Sequence, residues 1–234
     1  MKLAPLVLVA AAAALALFAG RAGATNECRG FQVCAPVAGP WVVVPIASTV
    51  PRPHVEYQLS CPKGFVVGGL DAELTDRSID VTFEAILGSP VNPGISTRRD
   101  ALFTGRVVAG PPRAASFRPH IGCLPAAGGG SRIPTVAHVF PPGHPTVRHV
   151  WNVKVQPGVH VVRKACVPGE TLVSATHAVG FYGQTPPSAE LVGAVHASRG
   201  VRDGHVKVTI RAGTAVQNAR AVVQVDLTCA GGGT

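Results

Sequence analysis

Apolar and polar residues alternate with a period of two along much of the chain. The alternation is clearest in 79–85, 147–156 and 205–211, where most alternate positions are apolar. Successive side chains of a strand point to opposite faces of a sheet, so each segment predicts a strand with one buried and one solvated face. That pattern is typical of antiparallel sheets. Turn sequences such as Pro142-Gly143 and Asp203-Gly204 separate the segments, and no convincing amphipathic helix follows residue 24.

The first 24 residues have the pattern of a cleavable signal peptide. Lys2 precedes an uncharged apolar run from Leu3 to Gly20, and Ala22-Gly23-Ala24 provides the small residues of a cleavage site. An uncleaved anchor is the alternative, because eighteen apolar residues can just span a bilayer. We expect cleavage after Ala24, secretion, and no later transmembrane segment.

The cysteines indicate an internal duplication. Cys61 and Cys166 each begin a segment with a turn proline and a glycine, and they lie 105 residues apart. Cys123 and Cys229 each end an alternating stretch and lie 106 residues apart. A tryptophan precedes each pair, so three landmarks recur in the same order. We interpret the chain as two copies of one domain; a single larger domain with crossed bridges is the alternative.

An even number of cysteines in an exported chain predicts three disulfides. The predicted pairs are Cys28–Cys34, Cys61–Cys123 and Cys166–Cys229. The predicted fold class is all-β, with two tandem disulfide-bridged antiparallel β-sandwiches that are immunoglobulin-like or jelly-roll-like.

The predicted organisation has five parts. They are a signal peptide (1–24), a short bridged extension (25–40), a first sandwich (41–125), a Gly/Pro linker (126–134) and a second sandwich (135–230).

Composition narrows the classes of protein without assigning a function. Apolar residues make up 47% of the chain and charged residues 14%, which argues against disorder. The 27 glycines and 21 prolines argue against a helical bundle. Loss of the leader lowers the formal charge from +9 to +7, because Lys2 and Arg21 are removed.

Positive charge is concentrated in the second half of the first copy. The candidate binding residues there are Arg98, Arg99, Arg106, Arg113 and Arg118. A basic surface attracts anionic partners in a salt-dependent way, so an anionic cell-envelope polymer or polysaccharide is the expected partner. Export and the few aromatic residues argue against nucleic acid. The alternative is a surface that only keeps the protein soluble.

Five acidic residues lie within 71–84. They are Asp71, Glu73, Asp76, Asp80 and Glu84. Carboxylates of this kind can bind Ca²⁺ or perform acid–base catalysis on a glycoside. However, the spacing matches no compact calcium loop, and a solvated acidic face explains the residues without a ligand.

Three histidines surround a predicted turn. His138, His144 and His149 flank Phe140-Pro141-Pro142-Gly143, and imidazoles brought together by a hairpin could bind Zn²⁺ or Cu²⁺. No His-Glu-x-x-His or Cys-x-x-Cys motif supports that site, so a structural role is the alternative, and no cofactor is expected.

No serine-nucleophile motif or phosphate-binding glycine loop is present. The sequence therefore favours a non-enzymatic, secreted binding or structural module. A secreted hydrolase or metal-dependent enzyme using the acidic or histidine residues is the second hypothesis. A protease inhibitor that presents a disulfide-held loop is the third.

Overall fold

A computed structural model describes residues 25–46, 53–85, 99–108, 115–126 and 146–231. The strands of the first half are β1 Ala35–Ala38, β2 Trp41–Val44, β3 His54–Ser60, β4 Phe65–Leu74, β5 Ile79–Ala85, β6 Asp100–Val107 and β7 Ala115–Pro125. Those of the second half are β8 Thr146–Lys154, β9 Gly158–Ala165, β10 Glu170–Tyr182, β11 Val195–Arg202, β12 His205–Ala212 and β13 Arg220–Gly231. A five-residue helix, α1 Ala189–Gly193, precedes β11 and is capped by the Ser188 side chain.

The all-β prediction is confirmed, and the strands pair antiparallel. One seven-stranded sheet contains β4, β7, β1, β2, β10, β13 and β8. Within it, β7 pairs with β4 on one side and with β1 and β2 on the other. Two three-stranded sheets have the orders β3-β6-β5 and β9-β12-β11. The strands of both halves therefore follow the same pairing scheme.

The large sheet is continuous through both halves of the chain. In β2, Val42 pairs with Phe117 of β7 on one side and with Gly180 of β10 on the other. The predicted separation of two sandwiches by a linker is thus not visible as a break in this sheet. Residues 127–134 of the predicted linker lie outside the described residues.

The two small sheets cover opposite faces of the large sheet. Ala178 of β10 packs into a core with β3 and β6, whereas its neighbour Val179 packs into a second core with β12. Because successive side chains of a strand point to opposite faces, the two cores lie on either side of β10.

The three disulfides of the structure are the three predicted pairs. Cys61, after β3, is bonded to Cys123 of β7, and Cys166, after β9, is bonded to Cys229 of β13. Each long-range bridge therefore joins a small sheet to the large sheet. The third bridge, Cys28–Cys34, closes a loop just before β1.

The edge of β3 is covered by a glutamine from the second half. The Gln58 N–H donates to Gln224 Oε1 at 2.6 Å, and Gln224 Nε2 donates to the Gln58 carbonyl at 2.9 Å. Gln224 is 1% exposed and also donates to Asn152 Oδ1. The side-chain amide thus satisfies the backbone groups that an edge strand leaves unpaired.

Candidate functional site: a basic sheet face

The small sheet of the second half is strongly basic. Its strands β9, β11 and β12 each contain two cationic residues and no aspartate or glutamate. The cations are Arg163, Lys164, Arg199, Arg202, Lys207 and Arg211. In the corresponding strands of the first half, β3, β5 and β6, there are four acidic residues and a single arginine. The small sheets of the two halves share a strand-pairing scheme but differ in charge.

Alternation along β12 decides which side chains face the solvent. Val206, Val208 and Ile210 are buried in the second core, so Lys207 and Arg211 project from the opposite, outer surface. Paired residues of neighbouring strands point the same way, which allows the whole outer surface to be assigned from the register.

We call this outer surface the basic face. Lys207 lies between Arg163 and Gly200, and Arg211 lies between Val159 and His196. The remaining members of the basic face are Val161, Ala165, Ser198, Arg202, His205 and Thr209.

The basic face presents its charges in rows across the strands. Neighbouring strands lie about 4.8 Å apart, so Lys207 and Arg163 form a close cationic pair. Arg211 is four residues further along β12, about 13 Å away. Between these rows, Ser198 and Thr209 provide hydroxyl groups, and Val161 provides apolar surface. The face therefore combines separated positive charges with hydrogen-bonding and apolar contacts.

Three of the cations are available to an external anion. Among the described residues, Arg163, Lys207 and Arg211 have no hydrogen-bond or ion-pair partner. Arg202 is 3.4 Å from Asp203, but both side chains are more than 80% exposed, so water screens the pair.

A shallow depression lies at one end of the basic face. It has a volume of about 370 Å³, and its walls include Val159, His196 and Arg211. Gly158, Gly193, Ala194, Ala212 and Gly213 also border it, so most of the bordering side chains are small or absent. An anionic group placed there would contact a guanidinium, an imidazole and an apolar surface together.

Of the five arginines expected from the sequence, the three that the structure describes contact different residues. Arg98 and Arg113 lie outside the described residues. Arg99 donates to the Cys61 carbonyl at 2.8 Å, and Arg106 bonds to Asp80 at 2.7 Å from the other end of β6. The two ends of that strand are about 23 Å apart. Arg118 donates to the Gly39 carbonyl, so the three described arginines contact separate structural partners.

The acidic residues of 71–84 are also distributed over separate contacts. Asp71 and Glu73 lie on β4 of the large sheet, whereas Asp80 and Glu84 lie on β5 of a small sheet. Asp76 caps the intervening turn by accepting from the Ser78 N–H at 2.8 Å. Asp71 and Glu73 therefore lie on a different sheet from Asp80 and Glu84.

Of the three candidate histidine ligands, only His149 is described. His138 and His144 lie outside the described residues. His149 Nε2 lies 2.7 Å from Glu170 Oε2, and Cys229 Sγ is close to both. Cys229 is bonded to Cys166, so it offers no thiolate, and two donors remain where a structural zinc site needs four.

His177 is a partly buried histidine of β10 with a structural contact. Its Nε2 lies 3.1 Å from the Ala197 carbonyl of β11. Burial lowers the pKa of His177, with a smaller contribution in the same direction from Arg199, and the bond to Ala197 opposes both.

Substitution of His177 by glutamine is expected to reduce the pH dependence of stability. Because the pKa is lower in the folded state than in the unfolded chain, the unfolded state binds more protons between the two values. The free energy of unfolding of the wild type should therefore fall as the pH drops from about 7 through this window. Urea titrations at pH 7.5 and 5.0 measure the difference. Equal pH dependence in H177Q and wild type would contradict this role.

Sequence reasoning missed the basic face because its members are distant in the chain. The polar positions of β12 were visible as alternation, but the register that places Arg163, Lys207 and His196 on one surface is a tertiary property. A count of charge per predicted strand would have given the signal, since no acidic residue occurs in any of the three strands.

Comparisons with known proteins add no functional information: no family profile, curated protein or solved structure matches the chain. Within the described residues, no helix is long and apolar enough to cross a membrane.

Proposed function

We propose that this protein is a secreted, non-enzymatic binding module that uses the basic face to bind an anionic polymer of the cell envelope, such as an acidic polysaccharide. The observation that carries the proposal is the set of unpaired cations Arg163, Lys207 and Arg211 on one exposed surface without an acidic side chain. The leader pattern and three disulfides favour an oxidising, extracellular location.

The shape of the basic face suits an extended polymer. The surface is an open sheet with charges in successive rows, so a chain that carries repeated anionic groups can contact several rows at once. Val159 and Val161 are 66% and 44% exposed, and they offer apolar contacts for the ring faces of a sugar. Each exposed ionic contact is weak and screened by salt, so affinity depends on several contacts formed together.

The proposal predicts salt-dependent binding that is lost when the three unpaired cations are neutralised. Retention of the mature chain on immobilised polygalacturonate, with neutral dextran as a reference polymer, should weaken steeply between about 50 and 200 mM salt. The triple variant Arg163→Gln, Lys207→Gln, Arg211→Gln should bind at least about tenfold more weakly. Its dependence on salt should also be shallower, because fewer counterions are released. Surface plasmon resonance at four salt concentrations measures both quantities.

A matched control variant distinguishes binding at the basic face from an effect of overall net charge. Arg29, Lys63 and Arg77 are exposed cations of the first half, and their replacement by glutamine causes the same change in charge. This control variant should bind nearly as well as the wild type. Equal losses in the two triple variants would show that only overall charge matters. Absence of salt-dependent retention on any anionic polymer would reject the proposed function.

A further inference from the structure

Three carboxylates and one imidazole lie together where the N-terminal extension meets the large sheet. We call Glu27, Asp71, Glu73 and His120 the acidic cluster. His120 Nδ1 lies 3.7 Å from Glu27 Oε1, and its Nε2 lies 3.0 Å from Glu73 Oε1. Glu27 and His120 are 4% and 5% exposed, so the centre of the acidic cluster is shielded from water.

The acidic cluster is short of positive charge. Even with a protonated imidazole, three carboxylates exceed the cations in contact with them. Arg118 lies opposite Glu73 in the β4–β7 ladder, but it donates to the Gly39 carbonyl and forms no ion pair with a described residue. Glu27 Oε2 is buried and has no hydrogen-bond partner among the described residues. Burial of a carboxylate with an unsatisfied oxygen is costly, so this position favours an additional cationic donor.

Glu27 is held firmly in place. Its carbonyl oxygen lies so close to two strands that a Cβ added at Gly69 or Gly122 would be 1.9 Å or 2.1 Å from it. A β-bulge between Val67 and Gly69 accompanies this contact. The Cys28–Cys34 bridge closes the loop that follows. The extension is therefore docked through backbone contacts that allow little movement.

Thr25 lies beside the Glu27 carboxylate. Its Oγ1 donates to Glu27 Oε1 at 3.0 Å, and the next backbone N–H, that of Asn26, donates to Asp71 Oδ2 at 2.6 Å. Three covalent bonds separate the nitrogen of a threonine from its hydroxyl oxygen, so the Thr25 nitrogen lies about 3–4 Å from Oγ1. That nitrogen therefore lies within about 7 Å of a carboxylate oxygen of Glu27 and of Asp71.

We propose that Glu27 is the binding site for the α-ammonium group that cleavage after Ala24 would create at Thr25. Before cleavage the Thr25 nitrogen is a neutral amide with one proton. After cleavage it is an ammonium with three donors, which supplies the positive charge that the acidic cluster lacks. Removal of the leader therefore completes the docking of the extension, so the mature chain is more stable than any form with residues before Thr25. This inference is independent of polymer binding.

Placing the N-terminal ammonium group two residues before Thr25 tests the inference without changing the net charge. A chain that begins at Thr25 is compared with a chain that retains Gly23 and Ala24, both exported so that their disulfides form. The folding equilibrium constant of the Thr25 chain should be at least about tenfold larger at pH 7, because a charge-assisted hydrogen bond is lost in the longer chain. In the Glu27→Gln background the two lengths should differ by less than twofold.

A second measurement keeps the test decisive if Glu27→Gln does not fold. The pKa of the Thr25 amine in the wild type, followed by NMR of the labelled residue, should lie above the ordinary range of about 7.7–8.0. An amine pKa within or below that range would overturn the inference. So would equal stability of the two lengths, or an N-terminus of the secreted protein other than Thr25 by mass spectrometry.

Discussion

Replacement of Arg148 by methionine is expected to lower the free energy of unfolding by about 3–5 kcal/mol, a large share of the total stability of an ordinary domain. Arg148 Nη1 lies 2.9 Å from Glu56 Oε2 of β3 and 2.5 Å from Asp226 Oδ2 of β13. It therefore joins the small sheet of the first half to the large sheet. Methionine keeps much of the side-chain volume, so the loss reports mainly on the two carboxylates left without their cation.

Asp226 explains why the effect should be large. Its side chain is 3% exposed, and burial raises its pKa despite the opposing effect of Arg148. Without the guanidinium, Asp226 must either remain charged in an apolar setting or take up a proton, and both are costly at pH 7. Urea denaturation followed by tryptophan fluorescence measures the loss.

A control and a rescue make this result interpretable. Arg202→Met removes an arginine from an exposed pair with Asp203 and should leave the stability nearly unchanged. Asp226→Asn added to Arg148→Met should recover a substantial part of the loss, because the uncompensated charge is removed. A stability of Arg148→Met close to that of the control would contradict the structural role of this ion pair.

Removal of either long-range disulfide is expected to cost about 4 kcal/mol, and removal of the short one only about 2 kcal/mol. The sequence separations are 62 and 63 residues for Cys61–Cys123 and Cys166–Cys229, and 6 residues for Cys28–Cys34. A bridge that closes a longer loop removes more conformational freedom from the unfolded chain, which is the source of the difference in this description.

Three double serine variants, one for each bridge, allow the comparison by urea denaturation. The two long-range variants should lose similar stability, because their loops are of nearly equal length and each bridge joins a small sheet to the large one. Equal losses in all three variants would argue against the loop-length explanation. A larger loss on removal of Cys28–Cys34 would instead indicate that docking of the extension dominates stability.

Local patterns in the sequence predicted much of the secondary structure. The alternating segments at 79–85 and 205–211 lie within β5 and β12, and 147–156 overlaps β8. Alternation predicts strands well because side-chain direction along a strand is a local property. Matched spacing of the cysteines likewise gave the three pairs that the structure contains. The duplication itself stays a prediction, which the shared pairing scheme supports.

Contacts between the halves could not be predicted in the same way. The pairing of β2 with β10, the bonds of Gln224 to Gln58, and the position of Arg148 between Glu56 and Asp226 all join residues far apart in the chain. Periodicity specifies which side chains share a face of one strand, but it does not specify which strand lies beside it. For this reason the sequence does not specify how the two predicted sandwiches contact each other, whereas the structure has one sheet running through both halves.

The candidate sites also depend partly on local sequence and partly on tertiary structure. By itself, the amino-acid sequence determined the leader pattern, the strand-forming segments, the cysteine pairs and the overall excess of positive charge. Only the tertiary structure decided where that charge is concentrated, because Arg163 and Lys207 become neighbours through the register of β9 and β12. It also decided that Glu27 and His120, 93 residues apart, meet in a buried cluster. Local sequence fixes the direction of a side chain along its strand, while neighbours across strands depend on the long-range packing that brings the strands together.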